Sequence, residues 1–237
     1  MELNMGDISI RWIGQSGYLL SDGERVICID PYLSNVVDRV AGRGRMVEAP
    51  FSPEELECDV VICSHDHLDH VDIDAIPLMN KEKMTFLAPT HARKTLEECG
   101  VTNYVPFDEG ASFKLGSFEL SAVFADHSAP AVGIIVEHGG LTLYFSGDTE
   151  YNDRLCELAD RNIDLMFICI NGRLGNMNAD DAARLTKIIS PRVAIPTHYG
   201  MFESNTEDPQ KYLSQIDCGF EMKYNTEYSV KEILENV

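Results

Sequence analysis

The sequence predicts an α/β chain in which two β-sheets pack face to face with helices outside, as one domain over residues 1–237. Three observations carry that expectation. Short apolar runs separated by turn residues crowd the earlier part of the chain, several of them arranged as hairpins. The final third alternates helix-like and strand-like stretches. Several runs are apolar throughout, as in strands covered on both faces.

In chain order, "ISIRWIG" and "GYLLS" read as strands, and Asp22-Gly23 marks a hairpin turn before "RVICID". Residues 32–51 read as a long irregular segment holding Arg39, Arg43 and Arg45. In "FSPEEL", Ser52 is a helix N-cap, Pro53 takes the first helical position, and Glu54 and Glu55 fill the first turn. "DVVICS" and "MTFLAP" read as buried strands, and "THARKTLEECG" as a helix closed by Gly100. "SFKLGSFELSAVFAD" and "AVGIIVEHGGLTLYFSGD" read as hairpins, the second turning at Gly139-Gly140. A helix over 150–161, the strand "DLMFICI", the helix "NADDAARLTKIIS", the strand "RVAIPTH" and a helix near 209–216 complete the reading.

Composition narrows the function classes. With 44% hydrophobic and 24% charged residues the chain has the make-up of a soluble globular protein. Its longest apolar runs are far shorter than a membrane span, and the N-terminus lacks the pattern of a signal peptide. The seven cysteines include no C-x-x-C pair. Cys28, Cys63 and Cys169 lie in strand-like runs as buried thiols, which suits a reducing cytoplasm. A net charge of −20 argues against nucleic acid as a partner, because a basic face is needed to displace phosphate counterions. Neither a membrane partner nor nucleic acid is expected, and a homo-oligomer stays open.

The stretch "SHDHLDH", residues 64–70, carries the chemistry. His65 and His67, two apart in an extended loop, can point the same way and grip one ion, whereas Asp69 and His70 point differently and suit a second. Three more ligand types follow strand-like runs: His127 after "SAVFAD", Asp148 after "LTLYFSG" and His198 after "RVAIPT". Taken alone, each has a plain structural alternative; Asp148, for example, could cap a helix over 150–161. Together they form a specific pattern. Imidazole and carboxylate without thiolate favour zinc, manganese or iron. Two such ions about 3.5–4 Å apart would hold a bridging hydroxide and polarise a substrate oxygen.

These residues resemble the H-x-H-x-D-H motif, distal histidine, bridging aspartate and final histidine of the metallo-β-lactamase superfamily, in order and spacing over nearly the whole chain. The resemblance implies an αββα sandwich of two mixed β-sheets flanked by helices, with a dinuclear site at one edge. It implies one ion at His65, His67 and His127, a second at Asp69, His70 and His198, and Asp148 between them. Asp30, in "IDP", would support a ligand histidine by hydrogen bonding or serve simply as a turn residue before Pro31. Within the superfamily, "RWIGQSGYLL", "ICIDPYLS", "PFSPEEL" and "INGRLGNMNADDAARLTKIISPRVAIPTHYGMF" resemble the L-ascorbate-6-phosphate lactonase-like branch.

The expected function is therefore metal-dependent hydrolysis of a lactone or ester of a phosphorylated sugar acid, with two divalent ions and a small anionic substrate. Asp69 would orient the attacking hydroxide or accept its proton, and Arg173, Asn176, Arg43 and Arg45, with Arg39, would grip the anion. Phosphodiester hydrolysis by the same centre is the alternative reaction, and a non-enzymatic metal-binding module is the alternative of another class.

Overall fold

The computed structural model describes residues 8–236. The first part of the chain supplies β1 (Ser9–Gly14), β2 (Gly17–Ser21), β3 (Val26–Ile29), β4 (Val60–Ile62), β5 (Thr85–Ala88) and β6 (Tyr104–Pro106). The second supplies β7 (Ser112–Leu115), β8 (Phe118–Phe124), β9 (Val132–His138), β10 (Leu141–Phe145), β11 (Leu165–Cys169) and β12 (Val193–Thr197). A last short strand, β13 (Glu227–Ser229), returns to pair with β1. The sheets are seven-stranded, in the order β13-β1-β2-β3-β4-β5-β6, and six-stranded, in the order β12-β11-β10-β9-β8-β7. Both are mixed. Hairpin-connected strands run antiparallel, while β3 through β6 and β10 through β12 run parallel, as strands joined by crossovers must.

The alternation of strand side chains explains the layering. Ile27, Ile29, Val60 and Ile62 face the other sheet and join its Leu143, Phe145 and Leu165 in the central core. The intervening Cys28 and Val61 point outward, into a second cluster with Leu56, Ile76 and Leu96. Tyr18 of the first sheet packs against Phe145 and Phe167 of the second at centroid distances of 5.3 and 4.8 Å. Strands buried on both faces need apolar residues at every position, which is why these runs lack an obvious two-residue period.

The helices are α1 (Val36–Ala41), α2 (Arg93–Glu98), α3 (Ala179–Ile189), α4 (Gln210–Leu213) and α5 (Val230–Glu235). In α3 the Asn178 side chain accepts hydrogen bonds from the backbone N–H groups of Asp180 and Asp181, as its position ahead of "ADDAARL" leads one to expect. Three expectations need correction. The segment 32–51 is not wholly irregular: α1 forms inside it and ends at Gly42, whose φ of 65° is cheap for glycine. "FSPEEL" makes only a single 3₁₀ turn, Pro53–Glu55. The helix expected over 150–161 is a 3₁₀ helix, Asp153–Arg161, capped by Asn152, so Asp148 is free of that duty. Among the described residues, no helix is long and apolar enough to cross a membrane. All seven cysteines are free, with Cys28, Cys63 and Cys169 buried.

Candidate metal centre

Loops at one edge of the sandwich converge on a cluster of imidazoles and carboxylates. Asp30 follows β3, the segment 64–70 follows β4, His127 lies beyond β8, Asp148 beyond β10 and His198 directly after β12. Ligand atoms of His65, His67 and His127 lie within 4.8 Å of one another, as do those of Asp69, His70 and His198, and those of His65, His70 and Asp148. Asp148 stands between the two halves. Its Oδ2 is 4.0 Å from His65 Nε2 and 3.9 Å from His127 Nε2, while its Oδ1 is 3.4 Å from His70 Nε2 and 3.2 Å from His198 Nε2.

Hydrogen bonds at the far ring nitrogens hold the histidines in orientation. Asp30 Oδ2 accepts from His70 Nδ1 at 2.8 Å, and the same carboxylate accepts from the Ser64 N–H and hydroxyl, each at 2.7 Å. The Gly175 carbonyl accepts from His127 Nδ1 at 2.8 Å. Each bond turns Nε2 toward the cluster. His65 Nε2, His70 Nε2 and Asp148 Oδ1 are buried and without a hydrogen-bond partner among the described residues. Buried polar atoms left in this way cost about 1–3 kcal/mol each, a cost that a cation accepting their lone pairs removes. The donor set therefore fits divalent metal.

The electrostatics of the two halves differ. Burial holds His65 well below the usual imidazole range, with His70 adding to the effect, and it lowers His67 too. These rings are neutral and ready to ligate. Burial also opposes charge on His70 and His198, but nearby carboxylates prevail: Asp148 and Asp30 raise His70 well above its usual value, and Asp148 and Asp69 push His198 up to about 9. Burial opposes ionisation of Asp148 and Asp69, yet His198 and His70 hold both carboxyls below the usual range. In this half protons do the neutralising that a divalent ion would otherwise do.

A cavity of about 560 Å³ opens onto His67, Asp69, Asp148 and His198. Val37, Ala41, Leu68, Leu174 and Phe202 give it an apolar wall, and Arg43, Ser128 and Asn205 add polar points. Tyr32, Val36, Val37, Met201 and Phe202 pack together, so α1 and the stretch after His198 form that wall as a unit.

The structure sorts the arginines. Arg43 lines the cavity. Arg45 does not: its guanidinium donates to the carbonyls of Val47, Tyr32 and Ser34 at 3.0 Å each and lies over the Tyr32 ring, so it fastens its own loop. Arg39 forms a two-bond ion pair with Asp74 at 2.8 and 2.6 Å. Arg173 is exposed, off the cavity wall, and donates to the Ser204 carbonyl at 3.4 Å. Asn176 is buried behind the wall. Its amide donates to Asn171 Oδ1 at 3.0 Å, and Asn171 donates in turn to Asn205 Oδ1 at 2.8 Å.

Four residues of the site escaped sequence reasoning: Gln15, Ser64, Asp72 and Asn205. Asp72 is buried and accepts from the Leu33 and Ser34 N–H groups at 2.9 and 2.8 Å, tying the motif loop to the chain entering α1. Gln15 reaches Asp69 itself, with Nε2 2.8 Å from Oδ2. Its position, a polar residue flanked by small ones in the otherwise apolar "WIGQSGYLL", was the available signal.

With this geometry in view, comparison with known proteins agrees. The model of the beta-lactamase superfamily domain matches residues 25–199, and the chain belongs to the metallo-β-lactamase superfamily. A UPF0173 metal-dependent hydrolase of Deinococcus radiodurans is 28% identical over 223 residues, covering 88% of this chain and 91% of its own. One from Methanosarcina mazei is 26% identical, with 92% and 95% covered. The fold matches that of Igni18, a metallo hydrolase from Ignicoccus hospitalis, with a TM-score of 0.75, 22% identity, and 93% of this chain and 97% of that one covered.

Proposed function

We propose that this chain is a metal-dependent hydrolase that cleaves a carboxylic ester or lactone. The observation that carries this reading is the set of buried, partnerless imidazole and carboxylate atoms at the floor of an open cavity. His65, His67 and His127 would hold one divalent ion and Asp69, His70 and His198 a second, with Asp148 offering one oxygen to each. Zinc and manganese suit these donors, and iron is compatible. Such ions would acidify a water and withdraw charge from the scissile carbonyl oxygen. Asp30 and the Gly175 carbonyl keep His70 and His127 turned inward. Asp69 borders the cavity as an ionised carboxylate; it is better suited to orienting a water by accepting its hydrogen bond than to taking a proton.

The walls suggest what the substrate looks like. Five apolar side chains favour a substrate with an apolar face, and Leu174 stands 56% exposed at φ 56° beside that cavity. Arg43 is the sole arginine or lysine on the wall among the described residues, so a phosphorylated sugar-acid lactone, as the lactonase-like resemblance implies, would have a single cationic anchor. Phosphodiester hydrolysis is the second reading, and Arg43 is what favours it.

The test is an assay of the zinc- or manganese-loaded chain against aryl esters, uncharged lactones, phosphosugar lactones and bis-p-nitrophenyl phosphate. We expect ester or lactone turnover that a chelator abolishes and that Asp148→Ala reduces by at least about a hundredfold. Arg43→Ala should raise KM for the phosphorylated substrates alone. Faster turnover of bis-p-nitrophenyl phosphate would favour the second reading, and bound metal without turnover of any ester or lactone would overturn the first.

A further inference from the structure

We propose that Gln15 is a positioning residue of the centre: its side-chain amide braces Asp69 against His198 and thereby sets how tightly the Asp69–His70–His198 half holds an ion. The inference rests on the metal-dependent reading above.

Gln15 occupies the turn between β1 and β2, fully buried, with φ at 53°, a backbone region that non-glycine residues rarely enter. Gly14 before it has φ 100°, a conformation that residues with a side chain rarely adopt, so glycine is what allows the turn at that point. Three donors fix the Gln15 carbonyl: Trp12 Nε1 at 3.0 Å, Thr197 Oγ1 at 2.8 Å and the His198 N–H at 3.1 Å. From this anchored backbone the side chain reaches the centre, with Nε2 2.8 Å from Asp69 Oδ2 and 3.2 Å from His198 Nε2. Its Oε1 is buried with no hydrogen-bond partner among the described residues. A core position asking only for volume would take leucine, which has no polar atom to leave unpaired. Strain and an unsatisfied polar atom together mark a functional position.

Gln15 also meets His198 at two points: its carbonyl accepts from the His198 main-chain N–H, and its side-chain amide lies beside the His198 ring. Asp69 follows a strand of the first sheet and His198 a strand of the second. The amide therefore bridges the two layers at the point where their ligands must meet. An amide suits that place better than a carboxylate, because it can donate to Asp69 without adding a negative charge beside Asp69 and Asp148.

The experiment titrates zinc or manganese into metal-free wild type, Gln15→Leu and Gln15→Glu by calorimetry, with metal content measured after dialysis and folding checked by circular dichroism and thermal unfolding. In wild type we expect two ions. Gln15→Leu should bind the first as wild type does and the second at least about tenfold more weakly. Gln15→Glu should lower the melting temperature of the metal-free protein, by crowding carboxylates, and show a larger rise on adding metal than wild type does. Gln15→Leu binding both ions with wild-type affinities overturns the inference, as does a wild type that binds one ion no more tightly than Gln15→Leu. Should Gln15→Leu fail to fold, a metal-induced rise in Gln15→Glu no larger than that of wild type overturns it instead. A wild type that takes up no ion defeats the hydrolase reading itself.

Discussion

Asp30 accepts hydrogen bonds from the Ser64 backbone, the Ser64 hydroxyl and His70, and it does so from a backbone with φ 42°. Its oxygen fixes which nitrogen of the His70 ring faces inward. Asp30→Asn keeps the shape but turns one oxygen into a donor, which cannot accept from His70 or Ser64. We expect metal affinity to fall about 10–100-fold while the fold persists, as calorimetric titration alongside thermal unfolding would show. The sequence marked Asp30 as either a ligand's support or a turn residue, and in the structure it follows β3 and touches His70. The arginines could not be sorted in that way. Arg43 and Arg45 are two residues apart in one loop, yet one lines the cavity and the other is consumed by three carbonyls, a difference decided by loop conformation.

At the scale of an element, the loop 171–178 links the cavity wall to the candidate metal centre. It offers Leu174 to the cavity and the Gly175 carbonyl to His127, so the wall and this candidate ligand share one loop. Gly175 has φ 87°, and a Cβ there would lie 2.9 Å from His127 Nδ1. Gly175→Ala should therefore displace His127, weakening metal binding at His65, His67 and His127 and lowering stability by about 1–3 kcal/mol; metal titration and denaturant unfolding measure the two effects. The elements themselves were unevenly legible. Long apolar runs such as "DLMFICI" and the capped stretch "NADDAARLTKIIS" appear as strand and helix because burial and capping are written into local residues. The three-residue β6 and β13 and the six-residue α1 are too short to show a period and exist because a neighbouring strand or a packed wall receives them.

In the whole molecule, the packing of one sheet on the other completes each half of the centre, because His65, His67, Asp69 and His70 follow a strand of the first sheet while His127, Asp148 and His198 follow strands of the second. Phe167 lies in that packing, stacked on Phe145 at 4.3 Å and touching Tyr18 across the layers at 4.8 Å. Phe167→Ala should cost about 3–5 kcal/mol of unfolding free energy, read from chemical denaturation, because the sandwich cannot collapse around the void. The sequence by itself determined the layered α/β architecture, most strands, and the His and Asp residues at strand ends, since strand burial and ligand chemistry are local properties of the chain. Only the tertiary structure decided that Asp148 turns one oxygen to each half, that Arg43 alone of the four candidate arginines lines the cavity, and that Gln15 meets His198 across 183 residues. Those are distances between segments far apart in the chain, set by how two sheets stack, and no local pattern of residues encodes them.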